Sequence, residues 1–224
     1  MSVPRPPGEA DTFCAAPASY IVQTYFVLRM VIAGGAYALP LVLLGWAGIA
    51  ADVELMGSIS SFYYTPARSA FVGIVVAIGV ALVAYRGYTR GENLLLNAAG
   101  ILAVVVALVP TADPAAPGPT VTAVVHAAAA VGFFLLAALS IFFYVQETLG
   151  GIADRGVRQA YRAVYRTLMV LVVVLPVVAL MLAWSLGLTP ALLAVETAAL
   201  YAFATFWVVK TVELARSQTR VRIV

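Results

Sequence analysis

The residue types that could do chemistry lie in a few segments at the ends of apolar stretches. The one histidine, His126, follows closely on Thr120, where an apolar stretch begins. Glu196 has an equivalent position in the last apolar stretch, and Asp113 precedes His126 in a polar segment. With Arg68 they offer a base, two carboxylates and a cation. Hydroxyl groups accompany them just before Arg68, on Ser58, Ser60, Ser61, Tyr63 and Tyr64.

Three kinds of chemistry suit these residue types. A hydrolytic zinc site normally has three protein ligands and a water. His126, Asp113 and Glu196 would supply the ligands, but no HxxxH or HExxH spacing is present, and we expect neither a metal nor another cofactor. A serine hydrolase would use His126 as the base, but the sequence has no GxSxG elbow. A binding site would instead use Arg68 for a lipid phosphate, with tyrosines packing at the headgroup level.

The same residues also have a purely structural interpretation. His126 and Glu196 would then hydrogen-bond to each other or to the serines and tie helices together, and the tyrosines would anchor the chain at a membrane interface. The sequence leaves this interpretation open beside binding and catalysis. The residues of the candidate ligand-binding site, called the serine cluster below, are Ser58, Ser60, Tyr64, Arg68, Asp113, His126 and Glu196.

The elements that position these residues are predicted to be membrane-spanning helices. The chain is 63% hydrophobic and 10% charged, whereas soluble domains carry about 25% charged residues. Six apolar stretches have about the length that a helix needs to cross a bilayer, and the alternation typical of membrane barrels is absent. We therefore predict one all-α domain, a polytopic membrane helix bundle of six transmembrane helices. The stretches are Tyr25–Ile49, Ala67–Tyr85, Leu94–Pro110, Val121–Val145, Leu168–Leu186 and Ala191–Val209.

The distribution of positive charge predicts the orientation of this bundle. Of 13 Lys and Arg residues, all except Arg29 and Arg68 fall in segments that a six-span arrangement places on one side. The opposite segments carry Asp52, Glu54 and Asp113. Basic loops face the cytoplasm, so we expect both termini to be cytoplasmic. Residues 1–19 would form a cytoplasmic tail, 20–212 the transmembrane domain and 213–224 a basic cytoplasmic tail.

Two further groups of charges concern lipid and the membrane interior. Arg155, Arg158, Arg162 and Arg166 are spaced 3, 4 and 4 residues apart, which places them on one helical face. This arginine face would dock on anionic lipid, each residue adding about 1 kcal/mol, or form an ordinary basic flank. Inside the first span, Arg29 is expected to snorkel towards the cytoplasm or to pair with a polar group such as Asn97.

We expect membrane lipids as the partners of this chain, together with a second copy or another membrane protein. Nucleic acid is not expected, because no aromatic platform accompanies the basic residues.

Part of the sequence resembles a known group of proteins. The runs LRMVIAGGAYALPLVLLGW and GSISSFYYTPARSAFVG, with YRGY after the second span, are similar to an uncharacterised family of bacterial six-span integral membrane proteins. The resemblance covers roughly Tyr20 to Tyr144, and the histidine of that family corresponds to His126. The layout is more distantly similar to Frag/DRAM/Sfk-type membrane proteins, which implies lipid-linked work at the outer face. Some of those relatives have an HH pair where this chain has Val125 and His126.

The resemblance implies the inner membrane of a bacterium, and the functional prediction is an integral inner-membrane protein that binds lipid or a small molecule in a polar pocket of the outer leaflet. Ser60, Tyr64, Arg68, His126 and Glu196 would build that pocket. One alternative is an intramembrane lipid hydrolase or remodelling enzyme that uses His126. Another is a scaffold or accessory subunit of a membrane complex, which would recruit partners through the arginine face.

Overall fold

Helices make up most of the computed structural model, which describes residues 9–49, 56–113, 115, 120–186 and 190–217. No strand occurs among these residues, and the predicted all-α class is confirmed for them. A short 3₁₀ segment, Ser60–Tyr64, precedes the second helix. The six helices are α1 (Glu9–Ile49), α2 (Arg68–Ala84), α3 (Arg90–Leu108), α4 (Val121–Leu149), α5 (Arg155–Leu186) and α6 (Pro190–Ser217).

Five of the helices contain stretches long and apolar enough to cross a membrane. These stretches are Val22–Ile49, Arg90–Leu108, Val121–Leu149, Arg155–Leu186 and Pro190–Arg216. The remaining helix, α2, is apolar but has only 17 residues. Many large apolar side chains on these helices point outward, including Leu41, Met181 and Trp184. Long apolar helices with apolar outer surfaces indicate a multi-pass membrane protein.

The helices pack as a closed arrangement with two polar ends. Helices α1 to α4 contact one another in sequence order, and α6 contacts both α1 and α4. Helix α5 packs between α4 and α6, so the six helices close into a ring in sequence order, and α4 and α6 have only a small direct contact. We call one end, with the 3₁₀ segment and the first residues of α4 and α6, the serine end. The other, with the α2–α3 loop and the last residues of α4 and α6, is the basic end.

Between the two ends the bundle is packed with apolar and aromatic side chains. Phe133 and Phe203 meet edge to face with ring centroids 5.1 Å apart. Helices α2 and α3 approach each other closely at two glycines, because a Cβ atom added to Gly100 would lie 2.5 Å from the carbonyl oxygen of Gly79. Small residues permit such contacts in lipid, where packing replaces the hydrophobic effect as the force between helices.

The helices extend beyond the predicted spans at both chain ends. Helix α1 begins at Glu9, within the predicted N-terminal tail, and α6 continues to Ser217. Glu213, assigned to the predicted C-terminal tail, is completely buried in the bundle. Asp52 and Glu54, used above for the orientation, lie outside the described residues.

Candidate functional site

The 3₁₀ segment at the serine end is shaped by local hydrogen bonds from hydroxyl groups. The Oγ atom of Ser58 accepts from the backbone N–H of Ser61 at 3.1 Å and lies 2.7 Å from the Ser61 hydroxyl. At the other end of the segment, the Thr65 hydroxyl donates to the carbonyl of Phe62 at 2.8 Å. Serine and threonine commonly stabilise turns in this way. Phe62 is fully buried and anchors the segment in the core.

His126 joins three elements of the serine end. Its Nδ1 lies 2.8 Å from the carbonyl oxygen of Val109, just after α3, and its Nε2 lies 2.9 Å from the hydroxyl of Ser60. A carbonyl only accepts, so Nδ1 carries the proton and the Ser60 hydroxyl donates to Nε2. The side chain is 4% exposed. Both ring nitrogens are therefore used in linking α4 to α3 and to the 3₁₀ segment.

Glu196 attaches the same segment to α6. Its Oε2 accepts a hydrogen bond of 2.6 Å from the backbone N–H of Ile59. The structural interpretation expected His126 and Glu196 to bond to each other or to the serines. His126 does bond to a serine, and Glu196 bonds to the backbone between Ser58 and Ser60. Ser60, His126 and Glu196 are thus brought together through one short segment of chain.

Tyr64 and Asp113 lie on the connection that leaves α3. The Tyr64 hydroxyl donates to the carbonyl of Thr111 at 2.7 Å. The Oδ1 atom of Asp113 accepts from the backbone N–H of Ala115 at 2.8 Å. Both side chains therefore bond to the connection between α3 and α4, so the hydrogen bonds of Asp113 do not run to His126.

Arg68 lies in a different setting, at a groove between α2 and α3. Its guanidinium carbon is 4.0 Å from the centre of the Tyr63 ring, and its Nη2 donates to the Tyr63 hydroxyl. A Cβ atom added to Gly73 would meet nothing within 4 Å, so the helix surface there is open. Arg68 belongs to both the serine cluster and the groove lining. The groove encloses about 510 Å³ and is lined by Tyr63, Arg68, Ser69, Val72, Gly73, Ala107 and Leu108.

The arginine face forms the beginning of α5. Arg155, Arg158, Arg162 and Arg166 all lie in this one continuous helix, which runs on to Leu186. The predicted lipid-docking helix is therefore the first part of a long apolar helix and not a separate element. Arg158 donates to the carbonyl of Ile152 through Nε at 3.0 Å and Nη2 at 2.6 Å. One arginine of the face thus stabilises the α4–α5 connection.

The sequence reasoning missed a cluster of buried charges at the basic end. Lys210 and Glu213 form an ion pair of 3.2 Å, with 3% and 0% of the two residues exposed. The same carboxylate oxygen, Oε2, accepts from the Tyr165 hydroxyl at 2.5 Å. Lys210 also donates to the Thr148 hydroxyl. These contacts tie α4, α5 and α6 together.

Two further buried charged residues, Arg29 and Glu92, lie beside this group. Arg29 is 8% exposed, and its guanidinium carbon lies 6.0 Å from the centre of the Tyr85 ring. Glu92 is 7% exposed, and its Oε2 accepts from the backbone N–H of Tyr88 at 2.7 Å. Arg29 was expected to snorkel to the surface or to pair with Asn97. The structure instead buries it, and Arg29 Nε and Asn97 Oδ1 both lack a partner.

Arg29, Glu92, Lys210 and Glu213 all lie near the side chain of Tyr88. Burial raises the pKa of the Tyr88 hydroxyl in the α2–α3 loop; nearby Tyr85, Glu92 and Glu213 also raise it, and Arg29 lowers it. The Lys210 ammonium lies 5.8 Å from the centre of the Tyr88 ring. We call Arg29, Glu92, Lys210 and Glu213, with the polar side chains around them, the basic-end cluster.

A sequence signal for this cluster existed in α6. Trp207, Lys210 and Glu213 are spaced three residues apart, which places them on one helical face. Positive charge near the end of an apolar stretch is normally read as a cytoplasmic flank. That reading accounts for Lys210 without a partner, and so it concealed the buried pair.

No protein-family model matches this chain. Comparisons with curated proteins and with solved structures likewise find no match. Evidence on function therefore comes from the geometry of the two ends of the bundle.

Proposed function

We propose that this protein is a six-span membrane protein that binds a phospholipid of the outer leaflet in the groove between α2 and α3. The observation that carries the proposal is the guanidinium of Arg68, stacked on Tyr63 at the border of an apolar groove. The serine end would face outward and the basic end the cytoplasm, in the inner membrane of a bacterium, as in the family that the sequence resembles.

The charge distribution supports this orientation. Among the described Lys and Arg residues, Arg68 is at the serine end and the others are at the basic end. Cytoplasmic loops carry the excess of basic residues. Helix α2 supports the count of six, because it packs between α1 and α3 and joins the serine end to the basic end. Its 17 residues are at the lower limit for a spanning helix.

The groove has the two surfaces that a phospholipid needs. Its polar end has the Arg68 guanidinium and the exposed hydroxyl-bearing residue Ser69. Arg68 is also the first residue of α2, and Ala67 before it provides no side-chain cap. The N–H groups of Arg68 and Ala70 already donate to the carbonyls of Thr65 and Ala67, but the dipole of α2 favours an anion such as phosphate at this end of the helix. The apolar side chains of Val72, Ala107 and Leu108 line the rest of the groove and fit an acyl chain.

Stacking on Tyr63 prepares Arg68 for this role. A cation over an aromatic face gains about 0.5–2 kcal/mol, which holds the guanidinium at the groove. Nη2 is engaged by the Tyr63 hydroxyl, and the guanidinium has further N–H donors that can meet phosphate oxygens.

Native mass spectrometry of protein released from mild detergent tests the lipid site. The wild type should carry a discrete adduct of phospholipid mass, which Arg68→Gln should weaken about tenfold or more, since hydrogen bonds to charged groups contribute about 1.5–3 kcal/mol. Arg86→Gln is the matched control, because it removes the same charge at the basic end from an exposed residue. Equal adduct occupancy in the wild type and Arg68→Gln would contradict the proposal.

The pair formed by Ser60 and His126 favours a second candidate, a lipid hydrolase. The 2.9 Å contact has a donating hydroxyl and an accepting Nε2, which is the polarity needed for a histidine to activate a serine. In a serine triad a carboxylate faces Nδ1, whereas here the Val109 carbonyl takes that place.

Turnover of a fluorogenic phospholipid in detergent micelles tests this second candidate. Ser60→Ala and His126→Gln should each abolish any lipid cleavage by the wild type. Ser185→Ala serves as the control, since Ser185 is exposed and bonds to the carbonyl of Met181 in its own helix. No lipid cleavage by the wild type, or cleavage that survives Ser60→Ala, would exclude this mechanism.

A further inference from the structure

Unpartnered polar atoms are concentrated at the basic end. Five buried side-chain atoms in the described part of the chain have no hydrogen-bond partner: Arg29 Nε, Asn93 Oδ1, Asn97 Oδ1, Trp207 Nε1 and Glu213 Oε1. Buried polar atoms in proteins nearly always have a partner in the protein or in ordered water. Two of these five are donors and three are acceptors, a combination that water molecules satisfy because water both donates and accepts.

The same region holds four formal charges. Arg29, Glu92, Lys210 and Glu213 are each more than nine-tenths buried, and their two positive and two negative charges balance. Buried ionisable residues within membrane spans are costly, and they commonly mark ion pathways and proton relays. Since the charges of the cluster balance, one added proton changes its net charge from zero to positive.

The two oxygens of Glu213 are used differently. Oε2 accepts from Tyr165 at 2.5 Å and from Lys210 at 3.2 Å. Oε1 is buried and has no partner. It is the oxygen to which a proton can add without breaking a hydrogen bond of the structure. The path for water from the basic end to Oε1 is short, because the exposed Arg216 lies one helical turn further along α6.

We propose that the basic-end cluster is a hydrated protonation site, in which Glu213 exchanges one proton with water from the basic end. A hydronium ion transfers its proton to Oε1, which converts the carboxylate to a carboxylic acid and leaves a water molecule. The reverse step restores the carboxylate. The site is separate from the groove at Arg68, and it does not depend on lipid binding there.

Titratable and charged groups on every neighbouring element set the environment of this proton. Lys210 contacts the other carboxylate oxygen, Oε2. Glu92 on α3 also attracts the Lys210 ammonium. The groups are Arg29 on α1, Tyr85 and Tyr88 between α2 and α3, Glu92 on α3, Glu147 on α4, Tyr161 and Tyr165 on α5, and Lys210 on α6.

Infrared difference spectroscopy of the full chain in nanodiscs, titrated with pH, tests the exchange. The wild type should show a protonated-carboxyl stretch that grows as pH falls, and Glu213→Gln should lose it. Asp154→Asn, at an exposed residue of the α4–α5 connection, should retain it. If Glu213→Gln fails to fold, Lys210→Gln decides instead, because loss of its donor must shift the frequency of the band. Absence of the band in the wild type, its persistence in Glu213→Gln, or an unshifted frequency in Lys210→Gln would overturn the proposal.

Hydroxyl-radical labelling of the wild type tests the hydration without any substitution. Internal water beside the cluster should allow modification of Trp207 and Tyr165, although they are 2% and 1% exposed. Phe71 and Phe203 are buried to the same degree in the apolar core and are the controls. Rates are compared with those of the denatured chain to correct for residue type. Protection of Trp207 and Tyr165 as strong as that of Phe71 and Phe203 would show that the cluster is dry and would overturn the proposal.

Discussion

At the serine end His126 and Glu196 bond to nearby backbone and hydroxyl groups, whereas at the basic end charged side chains bond to other side chains. His126 contacts the carbonyl of Val109, and Glu196 contacts the N–H of Ile59. Lys210 and Glu213 instead contact each other, with Thr148 and Tyr165 completing the group. Both ends belong to one bundle with an apolar outer surface, but their polar side chains have different kinds of partner.

The difference shows what each arrangement can do. Backbone partners have a fixed place in the chain, so the bonds at the serine end hold one segment in one position. The side-chain cluster at the basic end leaves Arg29, Trp207 and Glu213 with unpartnered atoms. An unsatisfied buried polar group costs about 1–3 kcal/mol, so an arrangement with several of them has a strong tendency to bind water or protons. We therefore interpret the serine end as a structural support beside a lipid groove and the basic end as the more reactive region.

The largest effect on stability should come from breaking the ion pair of the basic end. Lys210→Met leaves the Glu213 carboxylate buried without its cation, and such a change costs about 3–5 kcal/mol. The free energy of unfolding, from denaturant titration in detergent, measures it. Glu147→Gln at the same end changes an exposed carboxylate and should stay within about 0.5 kcal/mol. A loss below about 1 kcal/mol for Lys210→Met would remove the contrast between the two ends.

A smaller loss is expected at the serine end from His126→Ala. The substitution removes two hydrogen bonds and leaves the Val109 carbonyl and the Ser60 hydroxyl without their partner, at about 1–3 kcal/mol. Ser60→Ala removes one of these bonds and should cost about 1 kcal/mol. The same unfolding titration compares the two. An equal cost for both variants would mean that the contact of Nδ1 with Val109 contributes nothing.

The free energy of unfolding should depend less on the charge of Glu196 than on its acceptor oxygen. Glu196→Gln keeps an acceptor for the Ile59 N–H, and hydrogen bonds to neutral groups are weaker than bonds to charged groups by about 1 kcal/mol. Glu196→Leu removes the acceptor and should cost more. Unfolding titrations of the two variants test this order. Equal losses would show that Ile59 does not depend on the bond.

The smallest change in stability is expected for Arg68→Gln. Arg68 is exposed and contacts Tyr63 at the surface of the bundle, so the free energy of unfolding should change by about 0.5 kcal/mol or less. The same variant is the one expected to lose the phospholipid adduct. A loss of several kcal/mol, as for Lys210→Met, would instead assign Arg68 a structural role.

The helices could be predicted from the sequence because each is a long apolar run. Backbone groups in lipid must be satisfied within the segment, so such runs become helices, and the stretches predicted around His126 and Pro176 lie within α4 and α5. The serine cluster could be predicted only as residues at a common end. Ser60 and His126 do meet, and Glu196 meets Ile59 beside them, but Arg68 turns to the separate groove.

The buried charges could not be predicted in the same way. Arg29 and Lys210 lie near the ends of apolar stretches, where a long side chain can usually reach water. Whether it does so depends on what covers it, and here Tyr85, Tyr88 and Tyr165 surround the two cations. Those tyrosines come from a loop and from another helix, so their positions follow from the packing of the bundle.

The sequence by itself determined the helices and the separation of polar residues into two ends, because both follow from the length and spacing of apolar stretches in one chain. Tertiary structure alone decided which polar atoms pair and which remain without a partner. Ser60 and His126 are 66 residues apart, and Tyr165 and Glu213 are 48 apart. Hydrogen bonds act only over about 3 Å, so such pairs depend on how the helices pack, which the local pattern of residues does not encode.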